Sequence, residues 1–106
     1  MIKEILIASG FIEGKTFKET RFIKPPKETY AIYMDSFIAR GADGLNLIKD
    51  HDYPIELYSD TPDPDAERRI EKSLDTFGLE YEKSERDWIQ SEQLHQVVYT
   101  FNFIEK

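Results

Sequence analysis

The order of apolar segments along this chain predicts an α+β fold: a mainly antiparallel four-stranded sheet with two helices packed on one face, in the order α-β-β-α-β-β. Three observations carry that expectation. An amphipathic helix spans residues 64–77 and stops at Gly78. Two strand-like runs, 80–86 and 94–104, follow it directly. The second of these (Leu94-His95-Gln96-Val97-Val98-Tyr99-Thr100-Phe101-Asn102-Phe103-Ile104) is the most β-prone and apolar segment present, so it belongs at the centre of the core.

Residues 2–9 read as a short helix rather than a strand. Ile2, Ile5, Leu6 and Ser9 then share a face, Lys3 and Glu4 meet water, and Gly10 caps the end. Residues 11–28 read as irregular or extended, because they are charged and end in Lys24-Pro25-Pro26-Lys27, which excludes helix. Residues 30–40 read as a strand with Tyr30, Ile32 and Met34 on one face and Ala31, Tyr33 and Phe37 on the other. Arg40-Gly41-Ala42-Asp43-Gly44 has turn chemistry. Strand character resumes at 45–48, is interrupted by Lys49-Asp50-His51-Asp52, and returns at 53–58, where Tyr53, Ile55 and Leu57 share a face. Pro54 places that strand at an edge or at a bulge, since proline donates nothing to a ladder. Asp63 is the expected N-cap of the long helix and Pro64 its first residue. Ala66, Ile70, Leu74 and Phe77 form its apolar stripe. Short links between the strands favour antiparallel neighbours.

The composition excludes several classes. At 106 residues the chain is one domain, and 40% hydrophobic with 13% aromatic residues is too apolar for general disorder. There is no cysteine, hence no disulfide or thiolate chemistry. No apolar run approaches the ~20 residues needed to span a bilayer, and the short apolar start carries Glu4, unlike a signal peptide. The chain therefore reads as made and used in the cytosol. Its net charge of −7 argues against direct nucleic-acid recognition. Lys15, Lys18, Arg21, Lys24 and Lys27 precede the first firm strand, while acids dominate 50–87. That dipolar distribution suits head-to-tail association of copies, although a solvated charged surface is the commoner cause.

No catalytic constellation is present, and neither cofactor nor metal is expected. Gly10-Phe11-Ile12-Glu13-Gly14-Lys15-Thr16 has three residues between its glycines where a phosphate loop needs four. His51 and His95 lack a metal-ligand spacing. Asp60, Asp63, Asp65 and Glu67 lack the glycine and distal glutamate of a calcium loop and read as cap and dipole residues. Trp88, in the connection between the last two strands, either closes the core end or anchors a partner.

Four pieces in order carry a family resemblance: Tyr30-Ala31-Ile32-Tyr33; Gly41 to Ile48 leading into Ile55-Glu56-Leu57-Tyr58; the Asp/Pro-led helix ending Leu74-Asp75-Thr76-Phe77-Gly78-Leu79-Glu80-Tyr81; and Trp88-Ile89-Gln90 with Gln96-Val97-Val98-Tyr99-Thr100-Phe101. Over residues 29–106 the chain resembles small tail proteins of long-tailed phages and prophages, the tail-terminator or tail-to-head joining type of minor tail component. The first 28 residues depart from it, since relatives usually begin with a longer helix. The resemblance implies a non-enzymatic α+β assembly protein of the virion, present in the host cytoplasm during assembly. It would form a ring of copies, commonly hexameric, that caps the tail tube and docks to head-completion proteins, away from any membrane. The implied assembly surface is the 40–44 tip (Arg40, Gly41, Asp43, Gly44), the connection carrying Trp88 and Ile89, and the 11–28 segment, expected to be flexible. Truncating residues 41–44 is then expected to spare the monomer and abolish assembly. The rival is a small non-enzymatic protein-binding or regulatory module of prophage origin; a distant third is an enzyme using His51 or His95.

Overall fold

The structure, a computed structural model, describes residues 2–34, 36–40 and 48–105, with side chains over 2–34 and 54–101. It is an α+β fold whose elements run α1 (Ile2–Ala8), β1 (Phe17–Glu19), β2 (Tyr30–Tyr33), β3 (Ser36–Arg40), β4 (Ile48–Ser59), α2 (Pro64–Thr76), β5 (Tyr81–Lys83), β6 (Asp87–Ile89) and β7 (Leu94–Glu105). The described residues form one mixed sheet of seven strand segments, not four, ordered β1-β2-β4-β7-β5, with β3 also on β4 and β6 also on β7. Among these pairings β1 on β2 is parallel and the rest are antiparallel.

The larger count has a physical cause. β2 and β3 lie along the same flank of β4 in one register, Tyr33 opposite Ile55 and Ser36 opposite Asp52. At the intervening row Met34 N–H donates to the Pro54 carbonyl at 3.3 Å, and Pro54 has no N–H to return the bond. The expected 30–40 strand is therefore broken in two opposite the proline. Pro54 itself is neither at a sheet edge nor at a bulge. Its missing donor faces the β2–β3 flank, and on the other flank β4 pairs with β7 without interruption from Lys49↔Glu105 to Ser59↔His95. The expected polar interruption at 49–52 is accordingly inside one continuous strand. Along the outer flank of β7, β5 and β6 also share one strand, but with a one-residue register shift between them: Lys83 lies opposite Tyr99 and Asp87 opposite Gln96, so 84–86 stand against two residues of β7.

One face of the sheet carries the core. Ala31, Leu57 and Val97 share one row and Tyr33, Ile55 and Tyr99 the next, with Phe101 beyond. Ile2, Ile5 and Leu6 of α1 and Ala66, Ile70 and Leu74 of α2 complete the same cluster. The helix caps follow the expected chemistry: the Asp63 carboxylate accepts from Ala66 N–H at 3.0 Å, and Gly78 takes φ +71° past the C-cap. Phe77 departs from the expected stripe and is exposed. Gly10 ends α1 at φ +91°, and a Cβ there would sit 2.7 Å from the Arg69 guanidinium. That group donates to the Ser9 carbonyl at 3.0 Å and locks the start of the next segment onto α2.

The 11–28 stretch contributes more than a lead-in. Phe11 and Phe17 are buried, and β1 extends the sheet beyond β2. Ile12 O accepts from the amides of Lys15, Thr16 and Phe17, so the glycine-flanked loop spends its donors on a turn rather than on a phosphate.

Candidate assembly surface

The densest chemistry lies between α2 and the β5 edge. Glu67 is 3% exposed, although its place in the first turn of α2 suggested a solvated dipole residue. Its carboxylate accepts from Lys83 Nζ at 3.0 Å and from Arg86 Nε and Nη2 at 2.8 and 3.0 Å. Glu71 accepts from Lys83 Nζ at 2.8 Å and from the Tyr99 hydroxyl at 2.6 Å. The Arg86 hydrogen bond leads in holding Glu67 below the usual carboxylate range, against the opposing pull of burial. For Glu71 burial pulls upward, and the Lys83 and Tyr99 hydrogen bonds overcome it. Burial, then Glu71, pushes the Tyr99 hydroxyl far up. Ionised carboxylates held on both sides by donors make poor proton shuttles. This cluster pins β5 and the 84–86 connection to α2, and so fixes one edge of the sheet. Nothing local in the sequence flags it, because Lys83 and Arg86 lie in a different part of the chain from the acids they bind.

Among the described residues, the opposite face of the sheet carries no helix. Tyr30 stacks on Tyr58 at 5.2 Å between ring centroids, and Phe22 packs edge-on against Tyr30 at 5.4 Å. Tyr58 donates to Glu56 at 2.9 Å and accepts from Gln96 Nε2 at 2.9 Å. Burial, then the Glu56 carboxylate, pushes its hydroxyl up to about 12. A shallow groove of about 370 Å³ runs over this face, lined chiefly by Phe22, Pro25, Tyr30, Ile32, Tyr58 and Ile89. The sequence reading put the 11–28 segment on the expected surface without singling out Phe22 or Pro25; the large apolar residues at 11, 17 and 22 in an otherwise charged stretch were the available signal.

Trp88 and Ile89, expected in a connection, instead belong to strand β6, where Trp88 pairs with His95 and Ile89 with Leu94. The connection is the 90–93 turn, in which Glu92 N–H donates to the Ile89 carbonyl at 3.2 Å. Successive strand residues face opposite ways, so the two expected surface residues separate. Ile89 lines the groove, while Trp88, 49% exposed, lies 4.9 Å from the His95 ring. Of the expected tip, Arg40 is the last residue of β3, and Gly41, Asp43 and Gly44 lie outside the described residues.

Beyond the core the sheet continues as a three-stranded arm. Four rows run Ser36–Asp52–Asn102, Phe37–His51–Phe103, Ile38–Asp50–Ile104 and Ala39–Lys49–Glu105. Twelve-residue strands span about 40 Å, and the 13 residues of α2 span about 20 Å. The ladder is thus about twice as long as α2, and the molecule extends over 50 × 28 × 24 Å. Among the described residues no strand lies outside β3, and none pairs with the outer side of β7 at 102–105.

Among the other acids at the helix start, Asp63 besides capping accepts from the Thr29 hydroxyl at 2.7 Å, and Asp65 pairs with Arg69 at 3.2 Å. Among the described residues no group of three or more potential metal ligands converges, and no helix is long and apolar enough to cross a membrane. Compared with protein-family models and with curated proteins, the chain matches none.

Proposed function

We propose that the protein is a structural assembly component of a phage or prophage tail, which forms or joins a ring at the head-proximal end and works by shape rather than by turnover. Copies of itself, tail-tube proteins and head-completion proteins are its partners, in the virion and, before that, in the host cytoplasm. The observation that supports this best is the arm: a ladder that outruns its helical layer and leaves both flanks without a strand among the described residues. Open edges are templates for pairing with another chain, and a closed ring removes them. The sequence resemblance over 29–106 supplies the biological setting.

The test is electron microscopy of particles made without this protein. Heads and tails are expected to accumulate apart, and added protein to join them. Normal joined particles in its absence would end the proposal. The groove over Tyr30 and Tyr58 favours a second reading, a small prophage-derived module that binds an extended peptide. A locus without head, portal and tail-tube genes would favour that alternative.

A further inference from the structure

The two flanks of the arm match one another. β3 and β7 are each antiparallel to β4 and therefore run parallel to each other, one strand apart. The shared rows put Ser36-Phe37-Ile38 level with Asn102-Phe103-Ile104, so the two edges present the same residue order in the same direction. Their far ends carry opposite formal charges, with Glu105 level with Ala39 and Arg40 one row further.

Resting on the assembly reading, we infer that the 102–105 edge of β7 in one copy pairs in parallel with β3 of the next copy, in the register that places Asn102 beside Ser36. Such a contact joins unlike edges, so the growing row keeps one free edge of each kind, one at either end, until it closes. The sheet is five strands wide where the helices lie and three wide in the arm. That taper curves a row of copies joined at their narrow ends.

The competing edges are less suited. The outward groups of Phe17 in β1 are already used, its N–H donating to Ile12 O at 3.1 Å and its carbonyl accepting from Gly14 N–H at 2.8 Å. β5 offers an edge of three residues, and its Lys83 side chain is held by Glu67 and Glu71 of α2.

The absence of cysteine makes the test direct. Within one chain Ser36 and Asn102 are separated by β4, about 10 Å, beyond disulfide reach. Across the inferred contact they are adjacent strand neighbours, about 5 Å apart. The Ser36→Cys/Asn102→Cys variant is oxidised at high concentration and on assembled tails, its fold checked by circular dichroism. A covalent ladder of oligomers on a non-reducing gel is expected, with neither single variant linking to itself. A Lys18→Cys/Asn102→Cys pair is expected to give no ladder. Rings or joined tails visible by microscopy without the 36–102 ladder would overturn this contact and leave the assembly reading intact. Self-linking of Asn102→Cys alone would replace it with a two-fold contact. A monomer at every concentration that also fails to bind tails would remove the assembly reading, and this contact with it.

Discussion

The two halves of the β4–β7 ladder use the same hydrogen bonds and differ in what surrounds them. In the first half, rows such as Ala31–Leu57–Val97 lie under two helices and every core side chain is at most 8% exposed. In the second, β3, 48–52 and 102–105 continue the ladder past the reach of α2, three strands wide. Backbone pairing contributes only about 1 kcal/mol per bond net, whereas a buried large side chain contributes about 2–3 kcal/mol. The described core therefore lies in the first half, and the assembly reading assigns the edges of the second to another chain.

The largest effect is expected where the first half is densest. Tyr99 is fully buried, lies 5.9 Å from the Tyr81 ring and donates to Glu71 at 2.6 Å. Tyr99→Ala removes the ring and the bond together and should cost about 4 kcal/mol or more, enough to leave much of a small domain unfolded. Urea unfolding measures it; a loss below about 1 kcal/mol, the size of a single hydrogen bond, would mean that the core does not depend on this row.

Next comes the buried charge. Glu67→Ala frees Lys83 and Arg86, which are half-exposed and can rehydrate, so the cost should be about 2 kcal/mol rather than that of a stranded buried ion. The pH dependence has a definite sign. Glu67 and Glu71 both sit below their ordinary value of 4.5, so their contribution is complete above that pH and is lost as pH falls through the lowered folded values. Lys83, raised above 10.5 chiefly by its hydrogen bond to Glu71, contributes fully below that pH and loses its share as pH rises through the raised value. Melting temperature against pH should fall at both ends. In Glu67→Ala the acid limb should flatten, and an unchanged limb would place the acid sensitivity elsewhere.

Deleting 102–106 tests the second half. It removes four rows of the β4–β7 ladder and none of the described side chains of the core cluster, so unfolding should shift less than in Tyr99→Ala. Particle joining should fail completely. A deletion that unfolds the domain would erase the distinction between the halves.

The first half was legible in the sequence because its signals are local. Asp63, Pro64 and Gly78 bracket α2, Gly10 ends α1, and alternation marks Ala31, Tyr33, Ile55, Leu57, Val97, Tyr99 and Phe101. What escaped depends on partners distant in sequence. β1 and β6 are three residues each, too short for a period to show. The burial of Glu67 depends on cations 16 and 19 residues away. Of the expected assembly residues, Ile89 gained a concrete setting in the groove and Trp88 turned to the other face.

The smallest effect is expected at the joint between the halves. Pro54 sits where β2 gives way to β3, and its missing N–H leaves the bond from Met34 unreciprocated. Pro54→Val supplies a donor worth about 1 kcal/mol and gives back about the same through greater freedom of the unfolded chain, so net stability should hardly move. The change should appear instead in amide hydrogen exchange: the N–H that the substitution introduces should be protected as part of a ladder running unbroken from β2 into β3. If the gap serves to let the arm meet a neighbour at an angle, joining should weaken although the monomer is no less stable. Full protection at that site with unimpaired joining would show that the interruption is a consequence of the proline and has no part in assembly.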